Sequence, residues 1–258
     1  MTIKADPGGF PQRKLSETPA VTGAQMREIQ RVAQEDFGLD ILQITENGGR
    51  AVAALALAML GGKGRNQRVV VLAGGGNKGA TGLCAARLLV NYGFNVEPVL
   101  GEMESELSFF ARRQWQVLRE SGIVEPHDLE TSEITIEEHL SRADLVIDAL
   151  VGYGLEGAPT GIAAAVTDLA AQSHRPILAL DVPTGVNATT GEVSSPAIRA
   201  VTTLVLDLMK KGLAEPSCKS HVGELYLADL GIPRRVHERL GFDVGSLFSE
   251  GPIVRLRR

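Results

Sequence analysis

The chain of 258 residues carries 26 basic and 31 acidic side chains for a net charge of −5, and 44% of its residues are hydrophobic. That length suits one α/β domain with a large core, and the mild acidity excludes a protein built around a basic nucleic-acid footprint. Two cysteines in no metal-ligand spacing (Cys84 and Cys218), a polar start without the apolar heart of a signal peptide, and no apolar run near the ~20 residues of a membrane span predict a cytoplasmic protein.

Residues 1–17, with Pro7 and Pro11, read as a flexible N-terminal arm, and residues 18–258 as one domain. Thr22 or Gly23 opens a helix in which Met26, Ile29, Val32 and Ala33 fall at helical spacing, and Gly38 stops it. A second helix runs from about Asp40 to Leu60. Its internal Gly48-Gly49 costs helix stability; with Asn47 it suggests a pocket wall, or else a kink or close helix crossing. From Gln67 onward strands and helices alternate. Strands are expected at 67–73, 95–100, 143–152, 176–185 (strand with loop), 201–208 and 224–231. Helices are expected from Gly79 to Asn91, over 105–121, from Ile162 to Ala171 and from Pro233 to Leu240. This order predicts an α/β three-layer sandwich, a mostly parallel central sheet with helices on both faces.

In such a sheet, ligands bind beyond the carboxyl ends of the strands. After the first apolar strand comes GGGNKGATG at 74–82, where Gly74, Gly76 and Gly79 fit G-x-G-x-x-G. Glycines there let a phosphate approach the amides of the following helix, so Gly76, Asn77, Lys78, Gly79, Ala80 and Thr81 are candidate binding residues. No G-K-[ST] closes the turn, which excludes a Walker-type loop. Asp148 ends the strand ADLVID and Asp181 ends PILALD; a lone aspartate in such a place is more often a turn-former, but two beside a glycine loop favour a site. Lys210 follows the strand VTTLVLDL and could point into the same crevice, or form a solvated pair with Lys211. His127, His139, His174, His221 and His237 show no ligand spacing, and Cys84 reads as a small core residue. The basic tail from Arg255 reads as a solvated end.

The order TGAQMREIQ, ENGGR, VLAGGGNKGATG, VIDALVGYGL, LALDVPTGV and LYLADLGIP resembles the YjeF N-terminal domain family from about Pro19 to Leu240. The family's enzymes are NAD(P)H-hydrate epimerases. The resemblance implies a Rossmann-like fold and an isomerase that interconverts the R and S hydrates of NADH and NADPH, with water added at C6 of the nicotinamide ring. It further implies a separate dehydratase that consumes the hydrate, and a possible homodimer. By resemblance Asp181 is the catalytic carboxylate and Lys210 its partner, and Gly152, Tyr153, Gly154, Leu155, Glu156, Gly157 and Ala158 line the dinucleotide. The family also binds potassium, through a loop asparagine and residues matching Asp148 and Thr184.

The glycine loop departs from the family's usual G-x-G-N-N-G-G-D-G: Lys78 stands for the second asparagine, Ala80 for a glycine and Thr81 for the aspartate. Either the Lys78 ammonium sits where the ion would, beside Asp148, or it points to solvent. A non-catalytic branch, the dimerisation domain of the enhancer-of-mRNA-decapping scaffold, carries a similar Lys-Gly-Ala run. The alternative to an enzyme is therefore a silent binding or dimerisation module. An ordinary dehydrogenase lacks a clear acidic ribose residue at the end of the second strand, although Glu102 is near.

Overall fold

A computed structural model of the chain describes residues 3–62, 66–124 and 133–258, so His127 falls outside it. The elements are β1 (Gln12–Lys14), β2 (Ala20–Val21), α1 (Gly23–Glu35), α2 (Ile41–Met59), β3 (Arg68–Ala73), α3 (Asn77–Asn91), β4 (Asn95–Leu100), α4 (Phe109–Glu120), α5 (Glu133–Arg142), β5 (Leu145–Ala149), α6 (Gly161–Gln172), β6 (Ile177–Leu180), β7 (Thr202–Leu206), β8 (Met209–Lys210), α7 (Lys219–Val222), β9 (Glu224–Ala228), α8 (Arg234–Arg239) and β10 (Ile253–Arg257).

Eight strands form one sheet in the order β1-β10-β9-β7-β6-β5-β3-β4, and β2 pairs with β8 apart from it. All neighbours from β9 to β4 run parallel, while β10 lies antiparallel to β9. Side chains alternate across a strand, and here both faces are covered. Val69 and Val71 of β3 pack with Leu55, Leu83 and Trp115 from α2, α3 and α4. Val70 and Leu72 pack with Leu140 of α5 and Val166 of α6. Under α1 and α8 a third cluster joins Ile29 and Val236 to Val205 and Leu227. The expected Rossmann-like sandwich is thus observed, and β3, β5, β6 and β7 are consecutive neighbours, so their carboxyl ends share one edge.

The two leading helices start on reciprocal caps. Thr22 and Gln25 form a capping box on α1, and Asp40 and Gln43 form one on α2. The glycine pair in α2 marks a close crossing with α3. A Cβ on Gly48 would come within 2.8 Å of Thr81 Cγ2, and one on Gly49 within 2.5 Å of Cys84 Sγ. Asn47 is no pocket wall: its Nδ2 donates to the Leu230 carbonyl at 2.9 Å.

Residues 3–17, expected as a loose arm, are docked. β1 pairs with β10 as an edge strand, Lys4 N–H donates to Met59 O at 3.2 Å, and the Tyr226 hydroxyl donates to Asp6 at 2.8 Å. The basic tail is likewise not a solvated end, because it forms β10, and Arg255 pairs with Asp6 and Glu224 at 2.7 and 2.8 Å. The edge strand β1 is short and polar, and its inner neighbour β10 carries arginines among few apolar residues, so neither gives a clear alternation to pattern reading. Among the described residues no helix is long and apolar enough to cross a membrane.

Candidate active site

At the shared carboxyl edge lies a cleft of about 400 Å³. Gly76, Asn77, Lys78 and Thr81 line it from the start of α3, and Gly152, Tyr153 and Gly154 from the loop after β5. Asp181 lines it from the end of β6, and Arg27, Gln30 and Thr45 from α1 and α2. Gly76 is the N-cap of α3 and makes no side-chain capping bond, so the first-turn amides are left for a ligand to meet. An adjoining cleft shares Glu102 and Val151 with the first and adds Leu155, Glu156 and Ala158.

Three of the residues expected to bind the dinucleotide do not reach the clefts. Gly79 and Ala80 are buried, and a Cβ on Gly79 would sit 1.7 Å from the Gly74 carbonyl oxygen, so this glycine permits a close backbone turn. Gly157 supplies a positive φ of 81° in the loop after β5. Thr81 does line the main cleft, but its hydroxyl donates back to Asn77 O at 2.9 Å within α3. Sequence reading missed Arg27, Gln30 and Thr45, since α1 and α2 precede the sheet and only tertiary folding carries them over its edge.

Asp181 follows β6 with φ of +65°, a region that aspartate enters more readily than most residues. Its amide donates to Leu204 O at 2.7 Å. Its Oδ1 accepts from Lys210 Nζ at 2.5 Å and from the Leu206 amide at 3.1 Å. Among the described residues Oδ2 accepts no hydrogen bond. Lys210 also donates to Leu206 O at 2.6 Å and lies 5.8 Å from the centre of the Tyr153 ring. It is fully buried and does not line the cleft, so it positions Asp181 from behind. Tyr153 donates to Gln30 Oε1 at 2.6 Å. Burial, reinforced by the Asp181 carboxylate, pushes its phenol above the usual tyrosine range and keeps it neutral.

Asp148, on β5, is wholly buried and fully used. Oδ1 accepts from the Thr184 hydroxyl at 2.7 Å and the Leu150 amide at 3.1 Å, and Oδ2 accepts from the Thr184 amide at 2.8 Å. Lys78 turns inward to it. Its Nζ stands 2.8 Å from Val182 O, 2.9 Å from Val151 O, and 3.3 Å from both Asp148 Oδ2 and Thr184 Oγ1. Of the two expectations for Lys78, the inward one describes the molecule. The two carbonyls and the carboxylate can only accept, so the arrangement requires three N–H donors and therefore the ammonium form. Burial pulls the Lys78 pKa down, opposed by Asp148 and Asp181. A potassium ion does not fit beside it: the Asp148 and Thr184 oxygens that would hold the ion already surround the ammonium.

The family described as YjeF-related protein N-terminus matches residues 42–212. An NAD(P)H-hydrate epimerase of Dehalogenimonas lykanthroporepellens is 41% identical over 239 residues, which make up 92% of this chain and 92% of that protein. A bifunctional NAD(P)H-hydrate repair enzyme of Moorella thermoacetica is 33% identical over 222 residues, covering 84% of this chain and 41% of that protein. The crystal structure of yeast ynu0, YNL200c, matches with a TM-score of 0.73 at 23% identity, over 92% of this chain and 100% of that one. That last likeness concerns the fold alone.

Proposed function

The chain belongs to the YjeF-related protein N-terminus family, and from that membership and the geometry of the cleft we propose that it is an NAD(P)H-hydrate epimerase, an isomerase of the R and S hydrates of NADH and NADPH. The observation that carries the chemistry is Asp181 at the cleft floor, one oxygen held by Lys210 and the Leu206 amide, the other without a hydrogen-bond partner among the described residues. A silent module has no need of such a carboxylate beside an open cleft.

The reaction needs proton traffic at one oxygen. A proton delivered to the C6 hydroxyl lets it leave as water, while the N1 lone pair closes an N1=C6 double bond. Water then adds to the opposite face and returns its proton to the carboxylate. Asp181 Oδ2 first takes a proton from the water of the open cleft, hands it to the leaving hydroxyl as general acid, and recovers one from the adding water as general base. The ring stacks near neutral Tyr153, and the phosphates approach the open start of α3. The dinucleotide continues along Leu155, Glu156 and Ala158. The reading includes a separate dehydratase as consumer of the hydrate, a cytoplasmic setting and a homodimer, the last checked by sedimentation.

The test follows the appearance of the S form from purified R hydrate by chromatography. Asparagine tolerates the positive φ of position 181, so Asp181→Asn removes the charge without straining the turn. Loss of about 10²–10⁴ in rate is expected. An Asp181→Asn protein as fast as the parent, or a parent no faster than spontaneous epimerisation, would overturn the reading.

A further inference from the structure

The cage around Lys78 is built like a site for a free cation. Two of its four oxygens are main-chain carbonyls, one is a hydroxyl and one belongs to a carboxylate. Neutral carbonyl oxygens are the ligands by which potassium channels replace a hydration shell. The distances, 2.8–3.3 Å, exceed the roughly 2.3–2.6 Å of calcium and 2.0–2.1 Å of magnesium sites. Asp148 supplies one negative charge, which one monovalent cation neutralises. Its remaining acceptor capacity is spent on Thr184 and Leu150. The lysine reaches the cage from the second position of α3, with its stem under the cleft: a Cβ on Gly152 would lie 3.3 Å from Lys78 Cδ and 3.9 Å from Asp181 Oδ2. The charge is thus set beneath the proposed reacting centre and cannot diffuse away.

We propose that Lys78 is a tethered monovalent cation, which makes the fold and the activity of this chain independent of potassium and sodium, and that shortening this one side chain opens a binding site for a free monovalent ion. The activity part rests on the epimerase reading; the stability part does not.

The test compares the parent protein and Lys78→Ala in potassium chloride and in tetramethylammonium chloride, an ion too large for the cage, at equal ionic strength. The parent is expected to keep one melting temperature and one epimerisation rate in both salts. Lys78→Ala is expected to melt lower in tetramethylammonium and to regain roughly 5–10 °C, saturably, as potassium is added, with its rate recovering in parallel. A parent that needs potassium, or that is stabilised by it saturably, overturns the proposal. So does a folded Lys78→Ala protein indifferent to every monovalent cation. If Lys78→Ala folds in neither salt, thallium-205 NMR of the parent decides. No saturable Tl⁺ binding supports the tethered charge, and saturable binding refutes it. A parent without epimerase activity would sink the functional reading while leaving the melting comparison intact.

Discussion

The Lys210 ammonium meets the Asp181 carboxylate at 2.5 Å, with the lysine fully buried and the aspartate at the floor of the cleft. The contact fixes one carboxylate oxygen and so aims the other. Lys210→Met should lower kcat by about 10²-fold, the scale of a small misplacement of a reacting group, and leave KM nearly unchanged, because Lys210 does not line the cleft. Removing one member of a buried pair should also cost roughly 3–5 kcal/mol of stability. Steady-state kinetics normalised to folded protein separates the two effects: a purely structural lysine would leave kcat per folded molecule intact.

Thr184 ties the cage together. Its hydroxyl donates to Asp148 Oδ1 at 2.7 Å and accepts from the Val151 amide at 3.1 Å. Thr184→Val keeps the shape and removes both bonds, which strands buried polar groups at about 1–3 kcal/mol each. Urea unfolding should show a loss of roughly 2–4 kcal/mol, and Thr184→Ser should recover most of it. A Thr184→Val protein as stable as the parent would mean that the hydroxyl network contributes nothing net.

The sheet and its reactive edge are legible in the sequence because a buried parallel strand is an apolar run, and Asp148 and Asp181 each stand at the end of one. That these ends adjoin is not local information. It depends on β5 and β6 pairing side by side, which strand patterns do not specify. Lys78 stayed open between two readings for the same reason: its partners lie 70 to 106 positions away in the chain. The role of Lys210 as a buried prop was hidden too, since a lysine at a strand end looks the same whether it faces a cleft or a carboxylate. Helix α5, the edge strand β1 and its inner neighbour β10 were missed, because their apolar residues are too few to show a clear period.

Gly49 shows what the close approach of α2 to α3 demands. Alanine there gains helix propensity of about 1 kcal/mol, yet its Cβ would stand 2.5 Å from Cys84 Sγ and 2.9 Å from Cys84 Cβ. Overpacking costs typically about 1–3 kcal/mol, so the clash wins and Gly49→Ala should be destabilised by roughly 1 kcal/mol net. Cys84→Ala in the same chain removes the sulfur but not the Cβ, and should recover part of the loss. A double-mutant cycle in urea measures the coupling; strict additivity of the two changes would show that the helices yield at this crossing.

Cys84 gives a pH prediction whose sign can be worked out. Burial, then its hydrogen bond to Glu46, pushes its thiol from 9.0 up to about 12. The raised value means that the folded protein holds this proton at pH values where the unfolded chain has lost it. The contribution is therefore fully present below pH 9 and is lost as pH rises from 9 toward 12. Melting temperatures measured from neutral pH upward should fall over that window, and Cys84→Ala should fall less, the difference between the two proteins isolating this group. Thiolate is the reactive form, so a disulfide reagent at pH 8 should leave Cys84 unmodified in the folded protein and label it after denaturation. Burial raises Cys218 as well, and it should behave alike. Rapid labelling of Cys84 without unfolding would show that α2 and α3 part readily in solution, which their close crossing opposes.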